Sequence, residues 1–157
     1  MVYVFDTNSI SVFKNYYRAN FAPIWERLDD CVERGLIISV KEVYRELLYR
    51  GNITPELEVW VKSNRRMFLK PTLEEMRFVG EILRVPHFQQ IISQQERLQG
   101  RPVADPFVVA SAKIRHGCVV TEEAMKDNSA QIPNVCQHFG IPCTNLEGFM
   151  QRENWTI

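Results

Sequence analysis

Val2-Tyr3-Val4-Phe5-Asp6-Thr7-Asn8 opens the chain with an apolar run that ends on an acid and a cluster of helix-capping residues. The run does not alternate cleanly with polar residues, so it reads as a strand buried on both faces, the kind found in a parallel sheet covered by helices. The same form recurs in Leu36-Ile37-Ile38-Ser39, in Cys118-Val119-Val120-Thr121 and in Pro142-Cys143-Thr144-Asn145. Strands alternating with helical patterns predict an α/β fold, a three-layer α/β/α domain with a mostly parallel central sheet.

Helix signals fill the spaces between these strands. A helix is expected to start near Thr7-Asn8-Ser9, any of which can cap it, and a second at Pro23, with Ile24, Leu28 and Val32 on one stripe and a stop at Gly35. Ser39-Val40-Lys41-Glu42 fits a capping box, with Ser39 as N-cap and Glu42 three residues on, before Val43, Leu47 and Leu48 at helical spacing. Gly51-Asn52 would end that helix. Thr54-Pro55-Glu56 starts another, and Thr72-Leu73-Glu74-Glu75 repeats the capping-box pattern, so the middle of the chain reads as all helix. The glutamine-rich stretch 87–101, between Pro86 and Gly100-Arg101-Pro102, reads as a surface helix or an exposed arm.

With 157 residues and 45% hydrophobic content, the chain is expected to form one domain over 1–157. Lys plus Arg and Asp plus Glu balance at 19 each, so net charge supplies no general attraction for a polyanion and any nucleic-acid groove must be local. Basic residues do cluster, at Lys41, Arg45 and Arg50, at Lys62, Arg65 and Arg66, and at Arg97 and Arg101, which fits either a phosphate-facing stripe or solvated helix faces. Cys31, Cys118, Cys136 and Cys143 have no CxxC spacing, and no signal-peptide pattern follows Met1; reduced thiols in a cytoplasmic protein are expected. No apolar run approaches the ~20 residues of a membrane-spanning helix.

The chemistry lies in the acids. Asp6 follows the first strand, Glu123 the strand ending at Thr121, Glu46 lies just beyond the second strand, and Asp105 opens the helical run Asp105-Pro106-Phe107-Val108-Val109-Ala110-Ser111-Ala112. In an open parallel sheet the ligand crevice lies outside the carboxyl ends of the strands, so acids carried there by separate strands converge. Each acid also has a structural explanation of its own. Asp6 can begin a helix, Asp105-Pro106 is a good N-cap and N1 pair, and Glu122 and Glu123 can complement a helix dipole with Thr121 as cap. Those separate explanations leave their common placement at strand ends unaccounted for. Glu42 and Glu46 share a helix face; the capping box occupies Glu42, which assigns Glu46 to the crevice, with Glu42, and Glu122 beside Glu123, remaining as alternatives.

Close carboxylates repel, by about 4 kcal/mol per pair at 4 Å and an effective dielectric near 20. Such a cluster calls for a cation, and oxygen donors without His or Cys at ligand spacing favour Mg²⁺ or Mn²⁺ over Zn²⁺. A hard cation with open positions serves phosphodiester hydrolysis. His87, His116 and His138 are scattered, and no His or Cys nucleophile arrangement appears. A phosphatase of the haloacid-dehalogenase type would need a second Asp where Asn8 stands.

Together these blocks resemble the PIN-domain nucleases, over almost the whole chain. Val2–Asn8 is similar to the family's opening strand with its Asp-x-Asn or Asp-x-Ser ending, Ser39–Leu47 to its strand-helix segment closing on Glu-Leu, Ala104–Ala112 to its third acidic block, and Val119–Glu123 to its Val-Thr-x-Asp block. The resemblance implies that Asp6, Glu46, Asp105 and Glu123 bind the metal, with Thr7, Asn8 and Thr121 in support. It implies a PIN-like fold and a Mg²⁺- or Mn²⁺-dependent endoribonuclease acting on RNA, of the VapC-like kind that serves as toxin in a type II toxin–antitoxin pair, with a cognate antitoxin and a homodimer as further expectations. Glu123 stands where Asp is usual, and the helical 52–101 region marks a longer subfamily. The reading from another class is a PIN-like protein- or RNA-binding module without catalysis.

Overall fold

β1 (Tyr3–Phe5) is buried along its whole length and lies at the centre of the fold, as a strand with no polar face must. The computed structural model describes residues 1–49, 52–91 and 103–156. Around β1 are β2 (Ile37–Val40), β3 (Phe68–Leu69), β4 (Cys118–Val120) and β5 (Cys143–Thr144), in the order β3-β2-β1-β4-β5. Each pairing is parallel, with Val4 opposite Ile38 on one side and Val119 on the other. The strand order reverses at β1, which leaves a crevice beyond the carboxyl ends of β1, β2 and β4.

Helices α1 (Thr7–Ser11), α2 (Ala22–Glu33), α3 (Lys41–Tyr49), α4 (Pro55–Ser63), α5 (Leu73–Arg84), α6 (Ala104–Arg115), α7 (Ile132–Phe139) and α8 (Leu146–Arg152) connect and cover the sheet. On one side Phe149 of α8 meets the rings of Tyr3 and Phe5 edge-on, at centroid distances of 4.7 and 5.1 Å. Residues two apart on a strand share a face, so Val4 looks the other way, toward α6, which packs on β1, β2 and β4. Val108, Val109, Ala110 and Ala112 of α6 are all buried, and the small alanines let it lie close between the sheet and α5. The three-layer α/β/α class and the mostly parallel sheet are therefore as the strand pattern predicts. Among the described residues no helix is long and apolar enough to cross a membrane.

β4 reaches its place beside β1 through a tight approach. His116 ends α6 in the left-handed region at φ 54°, and a Cβ on Gly117 would sit 2.6 Å from the Val2 carbonyl, so only glycine lets Cys118 N–H donate to that carbonyl at 2.9 Å. The register that follows brings Thr121 next to Asp6.

Several local expectations are corrected. The middle of the chain is not all helix, because Phe68–Leu69 forms β3; two residues are too few for a sequence period, and only the partner strand at Ser39–Val40 defines them. The Ser39–Glu42 capping box does not form. β2 runs on to Val40 and α3 begins at Lys41, while the Ser39 hydroxyl donates to the Phe5 carbonyl at 2.6 Å and ties β2 to β1. Thr54 and Thr72 do cap α4 and α5, and Thr72 with Glu75 forms the full box. The first helix is capped by Asp6, one residue before the expected trio. Of the glutamine-rich stretch, Pro86–Ile91 forms a 3-10 helix and the rest lies outside the described residues, as do Gly51 and Arg50.

Candidate functional site

Asp6 leaves the end of β1 and is 3% exposed. Two hydrogen bonds hold it there. Its Oδ1 accepts the Asn8 N–H at 2.9 Å, the N-cap bond of α1, and its backbone N–H donates to the Val120 carbonyl at 3.0 Å. From β4 the Thr121 hydroxyl, itself buried, donates to Asp6 Oδ2 at 2.6 Å and accepts the Glu123 N–H at 3.2 Å. One hydroxyl thus joins the acid at the end of β1 to the acid beyond β4. Asn8 completes the join, its Oδ1 accepting the Glu122 N–H at 2.9 Å.

Glu123 sits on a loop rather than at a helix start, so Thr121 is no helix cap. Its carboxylate instead reaches forward, and Oε2 accepts the N–H of Ile132 at 2.8 Å, the first residue of α7. Glu122 does the same for another helix, accepting the Leu146 N–H of α8 at 2.8 Å. That bond turns Glu122 away and separates the two neighbours. The helix start expected at Thr121 does not form, and the two carboxylates instead serve N–H groups at the starts of distant helices. α7 has no side-chain cap of its own, since Gln131 makes none and a proline lies in the first turn; a helix start lacking a capping side chain is the one sequence sign that an acid elsewhere supplies it.

Asp105 is not an N-cap. α6 begins one residue earlier with Val103 at the N-cap position, and Asp105 lies within its first turn. The N-cap explanation for Asp105 therefore falls away, although an acid in the first turn still suits the positive helix end, and its carboxylate lines the crevice. Ligand oxygens of Asp6, Asp105 and Glu123 all lie within 4.8 Å of one another. Glu46, on α3, lines the same cleft outside this group, with Oε2 accepting the Thr7 hydroxyl at 2.5 Å and Oε1 accepting the Ala104 N–H at 3.4 Å. Glu42 does not line it. The cleft has a volume of about 340 Å³ and is walled also by Asn8, Ser11, Leu47, Ile53 and Val103.

Electrostatically the site is under load. Burial pushes Asp6 up to about 7, and the charges of Glu123 and Glu46 add to that, while the Thr121 hydroxyl and Asn8 N–H favour the ionised form. Among the described residues the charges Asp6 feels most are those of Glu123 and Glu46, and both oppose its ionisation. Three carboxylate oxygen donors from β1, α6 and the loop after β4 suit Mg²⁺ or Mn²⁺ by number and hardness, and leave coordination positions for water and phosphate.

The chain belongs to the family described as "Domain of unknown function (DUF4411)", whose pattern matches residues 3–157. No curated protein matches the sequence. Among solved structures it is similar to VapBC2 from Rickettsia felis bound to a DNA fragment from their promoter, at 15% identity over 92% of this chain and 98% of that chain, with a TM-score of 0.49. It is also similar to FitAB bound to an IR36 DNA fragment, at 14% identity over 92% of this chain and 94% of that chain, with a TM-score of 0.46.

Proposed function

We propose that this member of the DUF4411 family is a metal-dependent endoribonuclease that hydrolyses RNA phosphodiester bonds with Mg²⁺ or Mn²⁺ held by Asp6, Asp105 and Glu123. The observation that carries the reading is the meeting of these three acids within 4.8 Å, at the carboxyl end of a parallel sheet, with the most buried of them raised to about 7. Among the described residues, the groups that act most on Asp6 are the Thr121 hydroxyl, the Asn8 N–H and further acids.

A divalent cation held by Asp6, Asp105 and Glu123 would supply Lewis acidity toward a phosphoryl oxygen and toward the attacking water. The chain's own residues do the placing. Thr121 fixes the Asp6 carboxylate by donating to Oδ2 and holds the Glu123 backbone in the same bond pair. The Ile132 N–H orients the Glu123 carboxylate, compensating for a side chain one methylene longer than Asp. Thr7 and the Ala104 N–H hold Glu46 at the cleft wall, where it can accept a proton from a water in the crevice.

The resemblance to PIN-domain nucleases supports RNA as substrate. It likewise supports a toxin of a type II pair acting in the cytoplasm, with a cognate antitoxin and a second copy of the chain as partners. The test is cleavage of a panel of native single-stranded RNAs. Cleavage in Mg²⁺ or Mn²⁺ that stops in excess chelator is expected, together with growth arrest on expression that Asp105→Asn relieves. Cleavage undiminished in chelator, or no cleavage of any RNA by a chain that binds the cation, overturns the reading; the second outcome leaves a binding module.

A further inference from the structure

A second cleft, of about 530 Å³, lies on the far side of Glu123 and holds two thiols that the proposed nuclease chemistry does not use. Cys136 comes from α7 and is 1% exposed, while Cys143 comes from β5 and is half-buried. Both line this cleft, together with Thr121 and Glu123. The chain between them turns back sharply. Gly140 ends α7 in the left-handed region at φ 67°, and the Ile141 N–H donates to the Cys136 carbonyl at 2.9 Å, so the two cysteines sit at the ends of one closed turn. The two thiols face one cleft, and each is the strongest influence on the other's acidity.

The remaining two cysteines are differently placed. Cys118 is buried and accepts the Arg152 guanidinium at 3.2 Å while its own S–H faces the Val119 carbonyl at 3.6 Å. Cys31 is buried beside Arg34 at 3.8 Å, on α2. Among the four, only Cys136 and Cys143 line this cleft.

We propose that Cys136 and Cys143 form a reversible modification site, an intramolecular disulfide made by a small hydroperoxide that enters this cleft. Cys143 is the more exposed of the two thiols, and its neighbour Cys136 draws it below its ordinary range, so Cys143 is the attacking group. Its thiolate sulfur takes the terminal peroxide oxygen as the O–O bond breaks, and the departing hydroxide leaves as water. The resulting sulfenic sulfur is then attacked by the Cys136 sulfur, the S–O bond breaks, and the Cys136 proton goes out with a second water. Two thiols lose two electrons and two protons, and one hydrogen peroxide becomes two waters. The bond would join β5 to α7, the helix whose first N–H holds Glu123.

The proposal does not rest on the nuclease reading and is tested without it. The reduced, full chain is treated with equimolar hydrogen peroxide, trapped with an alkylating reagent and mapped by peptide mass. One monomeric species lighter by two hydrogens, linked Cys136 to Cys143 and restored by dithiothreitol, is expected. Links through Cys31 or Cys118, disulfide dimers, or oxygen added to Cys143 with no link to Cys136 would overturn it. In a folded Cys136→Ser variant, Cys143 is expected to run on to the sulfinic acid; the wild-type map decides the matter if that variant does not fold.

Discussion

Asp6 and Glu75 are equally hidden, at 3% and 2% exposure, and the fold treats them in opposite ways. Glu75 has its charge met on both sides. Its carboxylate closes the capping box of α5 by accepting the Thr72 N–H at 3.3 Å, and it takes the Arg115 guanidinium of α6 at 3.2 Å. The Asp6 carboxylate accepts two hydrogen bonds, pairs with no Lys or Arg among the described residues, and feels the charges of Glu123 and Glu46. Burial alone therefore does not mark a functional acid. What separates the two is compensation, since a buried charge is costly without a partner and none of the described residues gives Asp6 a cation.

The largest effect expected is on turnover. Asp105→Asn and Asp6→Asn should each lower RNA cleavage by roughly a hundredfold or more, as loss of several kcal/mol of charge stabilisation requires, while the circular dichroism spectrum stays native. Glu75→Gln should leave cleavage within a fewfold. If Glu75→Gln silences the protein and Asp105→Asn does not, the contrast between the two buried acids is inverted. Glu75→Ala is the matching stability probe. It strands Arg115 and opens the capping box, so a loss of about 3 kcal/mol in denaturant unfolding is expected, the low end for a buried pair because the Arg115 side chain is 32% exposed.

The pH dependence of Asp6 has a definite sign. Below its ordinary value of 3.8 the carboxyl is protonated in both folded and unfolded chains and costs nothing. Between that value and about 7 the folded chain still holds a proton that the unfolded chain has released, so stability falls as pH rises, and the full cost is present above about 7. In chelator, wild type should lose at most about 1.4 kcal/mol of stability for each step of one in pH across this window, while Asp6→Asn stays flatter and melts higher at pH 8. The Asn amide can still be served by Thr121, whose hydroxyl turns to accept. Mn²⁺ at a hundred times its dissociation constant should return ~2.7 kcal/mol to wild type and much less to the variant. A flat wild-type profile with no Mn²⁺ response would mean that the three carboxylates do not act as one site.

What can be read from the sequence follows physical range. β1, β4 and their acids are legible because an apolar run that ends on Asp or Thr-x-Glu is a local pattern, and the parallel sheet then dictates that such ends meet. The placements of Glu122 and Glu123 are not legible, because each answers to an N–H nine or more residues away, on α7 or α8. Ser39 misleads for the same reason. Its capping-box context is local, but the Phe5 carbonyl that claims its hydroxyl lies 34 residues earlier. Glu46 does reach the cleft, though not because a cap occupies Glu42; the Thr7 hydroxyl holds it there instead.

Glu42 supplies the smallest effect and the finest test of the comparison. It is a third buried acid, 6% exposed, and its Oε1 has no hydrogen-bond partner, yet it lies outside the cleft. Burial pushes its carboxyl above the ordinary 4.5, while its own backbone N–H and the charges of Arg45 and Lys41 draw it back. Its cost is absent below 4.5 and complete once pH has passed its raised value, the same sign as for Asp6. Glu42→Gln should therefore stabilise the protein at pH 8 and change it by nothing measurable at pH 4. Cleavage should be unchanged, whereas Glu46→Gln, with little effect on melting, should slow it. A rise in melting temperature for Glu42→Gln that shrinks or reverses as Mn²⁺ is added, or a loss of cleavage equal to that of Glu46→Gln, would move Glu42 into the site and show that α3 presents the other of its two acids to the crevice.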